Sequence, residues 1–334
     1  MNRIILSTFV IFFINFSISY ATDEGKGCHE IRGVFDIGSG STKLKVFKWD
    51  RCKESLVSVI DECSKHKKVS YKEDLKTSDE LTSDTLQLGL KYLKKLKSMA
   101  ISCGATKFAG AATSAFRQAK NGQQAADFLM KNSGVNIEIV TQYQEAMLGF
   151  KGAKLKSGEK ENVCVWDIGG SSMQIICELD SGKLVTYLGQ LASVPFKNEI
   201  LKIKNSQAIS PNPIGKNVFN SSKLITRKEG EKIKRKLGEI ISNNKVIGIG
   251  GVHYYAVSKR IGKRSYSSQD LLSWITENIN KNDGQLGGGD FVDTLVSNVI
   301  LVEGLINTLK IKKVKAFKVN LTDGVLASPR FWSR

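Results

Sequence analysis

DIGSGSTK at Asp36–Lys43 and DIGGSSMQ at Asp167–Gln174 repeat one pattern in a single chain of 334 residues: an acidic residue, an apolar residue, and then a run of Gly and Ser. Apolar, strand-forming residues flank both copies, with VF before and LKVF after the first, and VCVW before and IIC after the second. Such segments joined by a short Gly-rich turn predict two β-hairpins. The duplication predicts that the chain contains two similar halves.

The composition of the two hairpin tips predicts an anion site. Glycine lets the backbone approach a ligand closely, and consecutive N–H groups at a turn form a concavity that binds anions such as phosphate. Asp36 and Asp167 would repel a phosphate, but such carboxylates hold a hard cation such as Mg²⁺, which bridges to phosphate oxygens. One such turn is ordinary hairpin chemistry, in which Asp caps the turn. Two copies in one chain favour a clamp for a phosphate chain and a metal.

A second repeated segment follows each hairpin. Lys107–Ala109 reads as a strand that runs into Gly110–Thr113 and a helix, and Val246–Ile249 runs in the same way into Gly250–His253 and a helix. Because hairpin, strand, glycine and helix occur in the same order in both halves, the sequence predicts an α/β protein with two similar domains flanking a central cleft. We expect the ligand in that cleft.

Several motifs together give the chain a resemblance to a known family. They are the two hairpins, AATSAFRQAKN at 111–121, IEIVTQYQEAMLGFKG at 137–152 and a closing VNLTDGVLASPR at 319–330. In this order they resemble the exopolyphosphatase/guanosine pentaphosphate phosphatase (Ppx/GppA) family, which belongs to the actin, sugar-kinase and heat-shock-chaperone superfamily. The resemblance implies two ribonuclease-H-like domains of the actin-like ATPase fold and a hydrolase acting on phosphoric anhydrides.

The resemblance also implies roles for individual residues. Glu145 is expected to activate or orient water, Asp36 and Asp167 to hold Mg²⁺ through water, and Arg117 to bind a phosphate oxygen. The two hairpins supply the rest of the phosphate-binding set: Gly38, Ser39, Ser41, Lys43, Gly169, Gly170, Ser171, Ser172 and Gln174. Without the family match, an acid in the first turn of a helix is explained by the helix dipole, and a lysine or arginine by solvation at the surface.

The sequence departs from the family pattern at four positions. Gly40 stands where the family usually has Asn, Ser171 where it has Gly, and Gln144 and Gln174 where it has Glu. Gln174 is more like an apyrase, which hydrolyses nucleoside tri- and diphosphates within the same superfamily. These departures bear on substrate choice more than on phosphoanhydride chemistry.

Three functions remain open on these motifs. The favoured one is a Mg²⁺-dependent exopolyphosphatase that releases terminal phosphate by in-line attack of water. The alternatives are an apyrase-like hydrolase of nucleoside phosphates, which Gln174 favours, and a non-catalytic binder of polyphosphate or nucleotide, which has no need of Glu145. A sugar kinase on the same fold fits the segment around Glu145 less well.

The N-terminus predicts export. Arg3, an apolar run over residues 4–18 and Ser19-Tyr20-Ala21 before a polar segment are typical of a signal peptide, residues 1–21, cut after Ala21. The apolar run is shorter than the roughly 20 residues that span a bilayer. No later segment is expected to cross or stably insert into a membrane. We therefore expect a periplasmic or secreted protein, which would meet inorganic polyphosphate or nucleoside triphosphates rather than the cytoplasmic guanosine pentaphosphate.

Charge and cysteine content agree with this expectation. Fifty Lys and Arg against 32 Asp and Glu give a net charge of +18, which concentrates polyanions around the protein. Basic and aromatic residues do not interleave, so nucleic acid is not an expected partner. The six cysteines suit an oxidising compartment, and Cys28 with Cys52, and Cys164 with Cys177, flank the two hairpins and allow cross-strand bridges. A homodimer is possible, as in many members of the family.

The coarse organisation follows from turn and capping signals. We predict a first domain over residues 22–145, a second over 146–319, and a return of residues 320–334 to the first. Residues 206–222 read as an exposed loop or a substrate-side insertion, and Thr226–Glu229 as a capping box that opens a helix. His253 follows two glycines at the predicted cleft, where it is either a ligand contact or a packed residue.

Overall fold

The computed structural model describes residues 27–75 and 77–333. It contains two β-sheets with helices packed on their faces, which confirms the predicted α/β fold with two similar domains. The predicted signal peptide, residues 1–21, lies outside the described residues.

The two sheets repeat one topology. The strands are β1 (His29–Ile37), β2 (Ser41–Asp50), β3 (Ser55–Lys68), β4 (Lys107–Ala112), β5 (Asn136–Ile139), β6 (Val163–Ile168), β7 (Met173–Glu178), β8 (Leu184–Gly189), β9 (Lys245–Ile249), β10 (Ser265–Tyr266) and β11 (Val314–Ala316). The first sheet has the order β3-β2-β1-β4-β5 and the second β8-β7-β6-β9-β11-β10. In each, an antiparallel meander of three strands continues into parallel strands, and the second sheet adds β10 at its edge. This match confirms the internal repeat.

Helices connect and cover the strands. They are α1 (Tyr71–Asp74), α2 (Ser83–Ser102), α3 (Ser114–Gln118), α4 (Gly122–Ser133), α5 (Gln142–Ser157), α6 (Ser193–Ile203), α7 (Lys216–Leu237), α8 (Ile240–Asn243), α9 (Lys259–Ile261), α10 (Ser268–Asn278), α11 (Val292–Leu309) and α12 (Leu321–Leu326). A π-helix spans Val252–Ser258 and a 3₁₀ turn spans Pro329–Phe331. The domain boundary predicted after residue 145 falls inside α5, which connects the last strand of the first sheet to the first strand of the second.

Helices α5 and α12 lie between the two sheets. Leu148 of α5 packs with Val325 of α12 against the first sheet, whereas Phe150 and Ala153 pack against the second. The helices touch at glycine: a Cβ on Gly324 would lie 2.0 Å from the carbonyl oxygen of Leu148. The C-terminal segment therefore packs against the first sheet, and α5 contacts both sheets, with its N-terminus at the cleft.

Two expectations for the second domain are wrong. The exposed loop predicted over residues 206–222 ends at Gly215, because α7 begins at Lys216. The predicted helix start at Thr226 lies inside α7, where Thr226 is buried and a Cβ on Gly304 would lie 2.2 Å from its hydroxyl oxygen. A capping-box sequence occurs here within a continuous helix because Phe219, Ile233 and Leu237 bury its apolar face in the core of the domain.

Three disulfides lie in the described part of the chain. Cys28–Cys52 links the outer ends of β1 and β2, and Cys164–Cys177 links β6 to β7, so each hairpin is bridged behind its tip as the spacing allowed. The third, Cys63–Cys103, ties β3 to the residue after α2. The bridges between paired strands restrict the unfolded chain and hold both hairpins in register.

One helix of the described residues, Val292–Leu309, is long and apolar enough to span a membrane by length and composition alone. The expectation that no later segment crosses a membrane stays a prediction. In the structure 78% of the helix is buried inside the protein. Leu295, Val299 and Leu305 belong to the core of the second domain, which explains the apolar composition without a membrane.

His253 is a packed residue of the second domain. Its side chain is fully buried in the second domain, its Nδ1 lies 2.6 Å from the hydroxyl oxygen of Tyr266, and its ring meets Trp166 edge to face. Burial lowers the pKa of His253 to about 3. The imidazole is therefore neutral in the folded protein across the range in which an unfolded histidine takes up a proton.

This burial predicts an acid-sensitive stability. Between pH 7.5 and 5.5 the unfolded chain protonates His253 and the folded chain does not, so the free energy of unfolding should fall by about 1.4 kcal/mol through this group. Urea unfolding of the wild type and His253→Gln at both pH values checks this: the variant should lose the histidine's part of the pH dependence, whatever its absolute stability. Identical pH dependence in both proteins would contradict the prediction.

Candidate active site

The two hairpins have the same geometry at their tips. Asp36 pairs with Lys43 across β1 and β2, and Asp167 pairs with Gln174 across β6 and β7, so each acid lies one residue pair back from its turn. The turns close in the same way, with Gly38 N donating to Ser41 O at 2.9 Å and Gly169 N donating to Ser172 O at 2.9 Å.

Other elements fix the tips through their carbonyl groups. Ser39 O and Gly40 O accept hydrogen bonds from Lys72 N and Val69 N, and the second tip binds in the same way to the start of α6. Four backbone amides at the two tips donate to no protein acceptor within the described chain. They are those of Ser39, Gly40, Gly170 and Ser171. Free, consecutive amides on an anchored turn are the donor pattern that binds phosphate oxygens.

The first acid is paired with a lysine. Lys43 Nζ lies 2.9 Å from Asp36 Oδ2, and the Asp36 side chain is nearly buried while that of Lys43 is 40% exposed. The Asp36 carboxylate, more than any other group, raises the pKa of Lys43, and Asp167 and Glu145 add to the effect. Lys43 therefore carries a positive charge that is held next to three carboxylates.

Glu145 is positioned by its helix and by Arg117. The capping box of Thr141 with Gln144 fixes the start of α5, so Glu145 lies in the first turn of that helix. Arg117 Nη1 donates to Glu145 Oε2 at 2.8 Å and to Val140 O at 2.8 Å. Burial raises the pKa of Glu145, and Arg117 opposes that shift. The carboxylate is thus held in a poorly solvated place by one cation.

Asp167 has no direct partner. Among the described residues its carboxylate makes no hydrogen bond and no ion pair, although it is partly buried at the end of β6. Its burial first, and then the nearby charges of Glu145 and Asp36, raise the pKa of Asp167 to about 7, while Lys43 opposes the shift. A cation bound beside the Asp167 carboxylate would stabilise its charged form.

Glycine lets the chain pass close to Asp167. Gly250, at the end of β9, has a φ of +81°, and a Cβ built there would lie 2.2 Å from Asp167 Oδ1. By strand register the equivalent position in the first domain is Ala112, because Asp36 pairs with Ala111 as Asp167 pairs with Ile249. In the second domain the position beside Asp167 leaves room only for glycine.

In the second hairpin the side chains of Gln174 and Ser172 are buried. Gln174 is 2% exposed, and its Nε2 donates to Ser172 Oγ at 3.0 Å. Its amide therefore orients a serine of the turn and does not reach into the cleft. Gly169 and Ser171 remain partly exposed and Gly170 is exposed at the tip.

The structure adds two residues that sequence reasoning missed. Lys72 follows β3, and its backbone amide binds the tip of the first hairpin. Gln142, three residues before Glu145, donates to Met173 O and Gly189 O, which fastens the start of α5 to the second sheet. Neither residue belongs to a hairpin motif, although Gln142 stands in the segment that carries Glu145.

The donor set fits a divalent cation. Three carboxylates, from Asp36, Glu145 and Asp167, interact with two cations, Lys43 and Arg117. With all three carboxylates ionised, the group carries one net negative charge. Mg²⁺ prefers oxygen ligands and keeps several of its waters. Asp167 has no partner for its carboxylate among the described residues, and burial and two neighbouring acids disfavour its charged form. A cation bound there would offset both effects.

Comparison with known proteins identifies one matching family. The model of the Ppx/GppA phosphatase family matches residues 51–329. The crystal structure of the Aquifex aeolicus member of that family shares 15% identity, with a TM-score of 0.73 over 92% of this chain and 99% of that one. An exopolyphosphatase from Cytophaga hutchinsonii shares 17% identity, with a TM-score of 0.69 over 89% of this chain and 96% of that one. No curated protein matches by sequence.

Proposed function

Because this chain belongs to the Ppx/GppA phosphatase family and is a hydrolase acting on phosphoanhydrides, we propose that it is an exported, Mg²⁺-dependent exopolyphosphatase. The observation that carries the proposal is the meeting of free amides from two hairpin tips with Asp36, Glu145 and Asp167 in one cleft. Amides and cations bind the phosphate chain there. Two of the carboxylates would hold the metal, and the third activates the water.

Asp36 and Asp167 would hold the metal from opposite sides of the cleft. When bound, Mg²⁺ neutralises charge on the phosphoryl oxygens. Lys43 then adds a fixed positive charge next to Asp36, at 2.9 Å. The tip amides and the hydroxyls of Ser39, Ser41, Ser171 and Ser172 place the terminal phosphate group by hydrogen bonds, so the residues of both domains bind one substrate.

Glu145 accepts a proton from the attacking water. Its raised pKa makes it a stronger base than an exposed glutamate, and its position in the first turn of α5 is fixed by the capping box and by Arg117. Arg117 uses Nη1 for Glu145 and Val140. The remaining N–H groups of its guanidinium are available for a phosphate oxygen, so Arg117 orients both the base and the substrate.

The proposed location of the enzyme is the periplasm or the exterior of the cell. The sequence of residues 1–21 supports export, and three disulfides in the described chain support an oxidising compartment. Outside the cytoplasm inorganic polyphosphate is the proposed substrate, and the net charge of +18 favours a long polyanion.

An apyrase-like activity on nucleoside phosphates is the second candidate. The observation that favours it is Gln174 at the end of the second hairpin. Because Gln174 is buried against Ser172, it affects the shape of the turn and offers no contact to a base. The structure thus weakens the one feature on which this candidate rests.

A substrate comparison tests the proposal. We expect the protein without residues 1–21 to have a kcat/KM at least tenfold higher on long-chain polyphosphate than on ATP or ADP, with chains shortened from the end. Phosphate release, together with gel analysis of the remaining chains, measures this. Faster turnover of ATP or ADP would replace the exopolyphosphatase with the apyrase-like enzyme.

A further inference from the structure

A basic site lies between the two domains, away from the hairpin tips. It is a crevice of about 220 Å³ lined by Lys45, Lys156, Arg264 and Lys318, with Asp61 as the acid and with Val59 and Phe317. None of the residues assigned above to the cleft lines it. Two of the cations have acidic partners, Lys45 with Asp323 at 2.6 Å and Lys318 with Asp61 at 3.7 Å. The excess of two positive charges indicates a site for an anion.

The cations come from separate elements of both domains. Lys45 is on β2 of the first sheet, two residues or about 7 Å along the strand from Lys43. Lys156 is in the last turn of α5, eleven residues or about 16 Å along the helix axis from Glu145. Arg264 precedes β10 and Lys318 follows β11 in the second domain. The crevice therefore opens at the distal end of α5, and an anion there would contact both halves of the molecule.

Lys45 is the least exposed of the four cations and is paired with a buried carboxylate. Its side chain is 11% exposed and its Nζ lies 2.6 Å from Asp323 Oδ2 of α12. Burial lowers the pKa of Lys45; Asp323 opposes this shift, and Lys156 and Lys318 add to it. The cations thus repel one another across the crevice, and a bound anion would relieve that repulsion.

The lining favours an inorganic anion over a nucleotide. The aromatic side chain in the crevice, Phe317, is 5% exposed, and Arg264 and Lys315 lie over its ring at 4.5 and 5.4 Å from the centroid. No free aromatic face therefore remains in this lining for a base to stack upon. We infer that the crevice formed by Lys45, Lys156, Arg264 and Lys318 binds a short inorganic polyphosphate chain and links the two domains through it.

The experiment measures binding without turnover. Glu145→Gln protein is titrated with tripolyphosphate by calorimetry, alone and after combining Lys156→Gln, Arg264→Gln and Lys318→Gln. Lys45 is left unchanged because it pairs with buried Asp323. The matched control removes the same charges from exposed positions of α7, with Arg227→Gln, Lys228→Gln and Lys236→Gln.

The crevice variant should bind one tripolyphosphate fewer per chain than its parent, or bind it at least tenfold more weakly at one site, while the control keeps the parent's stoichiometry. Orthophosphate should bind this site at least tenfold more weakly than tripolyphosphate. Equal binding by crevice variant and control, or equal affinity for orthophosphate, would overturn the inference. Calorimetry measures the number of bound tripolyphosphate molecules without hydrolysis. Loss of binding at the crevice can therefore be distinguished from a lack of the proposed exopolyphosphatase activity.

Discussion

Replacing Glu145 with glutamine should lower kcat on polyphosphate by about 10²- to 10⁴-fold, which is the usual contribution of a general base. The substitution keeps the shape of the side chain and its bond to Arg117 but removes the group that accepts the proton. Substrate affinity should stay within a few-fold of the wild type, because Glu145 is not among the phosphate donors. Steady-state phosphate release and equilibrium binding of polyphosphate measure the two quantities.

A matched control separates chemistry from folding. Glu138 is a half-buried acid of β5 that forms an ion pair with Arg330 at 3.5 Å. It is not one of the residues to which a role in the active site is assigned. Glu138→Gln should leave kcat unchanged. If Glu145→Gln hydrolysed polyphosphate at the rate of the wild type, Glu145 would have no part in catalysis and another group would have to activate the water.

Gly250→Ala should reduce kcat/KM by about 10²-fold, the effect of displacing a catalytic group by about 1 Å. The new Cβ would lie 2.2 Å from Asp167 Oδ1, so the carboxylate has to move. The φ of +81° adds a backbone cost of about 1–2 kcal/mol, because an L-residue with a side chain is strained there. The apparent affinity for Mg²⁺ in the activity assay should fall as well, since Asp167 is a proposed ligand.

The neighbouring glycine provides the control for Gly250→Ala. Gly251 has a φ of −65°, and a Cβ built there meets no atom within 4 Å. Gly251→Ala should therefore keep the activity and the metal dependence of the wild type. Thermal unfolding of both variants shows whether a loss of activity goes beyond the loss of stability. Equal activity of Gly250→Ala and the wild type would mean that Asp167 tolerates displacement.

The hairpins and the internal repeat could be predicted from the sequence because their signals are local. A Gly-rich turn between two apolar, strand-forming segments indicates a β-hairpin. Two copies of this pattern in one chain indicate two domains of similar topology. The register pairs Asp36 with Lys43 and Asp167 with Gln174 follow from the turn length alone. Cross-hairpin disulfides are consistent with the same register, since Cys164 and Cys177 are paired residues of β6 and β7.

What could not be predicted depends on contacts between distant segments. A sequence does not reveal that Arg117 pairs with Glu145, that Lys45 pairs with Asp323 across 278 residues, or that Gly250 touches Asp167. Thr226 shows the opposite failure: a local capping signal was overridden because burial of the apolar face of α7 continues the helix through it. Packing of the whole domain, not the local motif, decided these positions.

The most direct test of the central claim is phosphate release from long-chain polyphosphate by the protein without residues 1–21, in Mg²⁺ and in EDTA. We predict release in Mg²⁺ that stops in EDTA and returns when Mg²⁺ is added in excess. No release in Mg²⁺, with polyphosphate binding intact, would contradict the proposed exopolyphosphatase and leave a protein that only binds polyphosphate in its cleft.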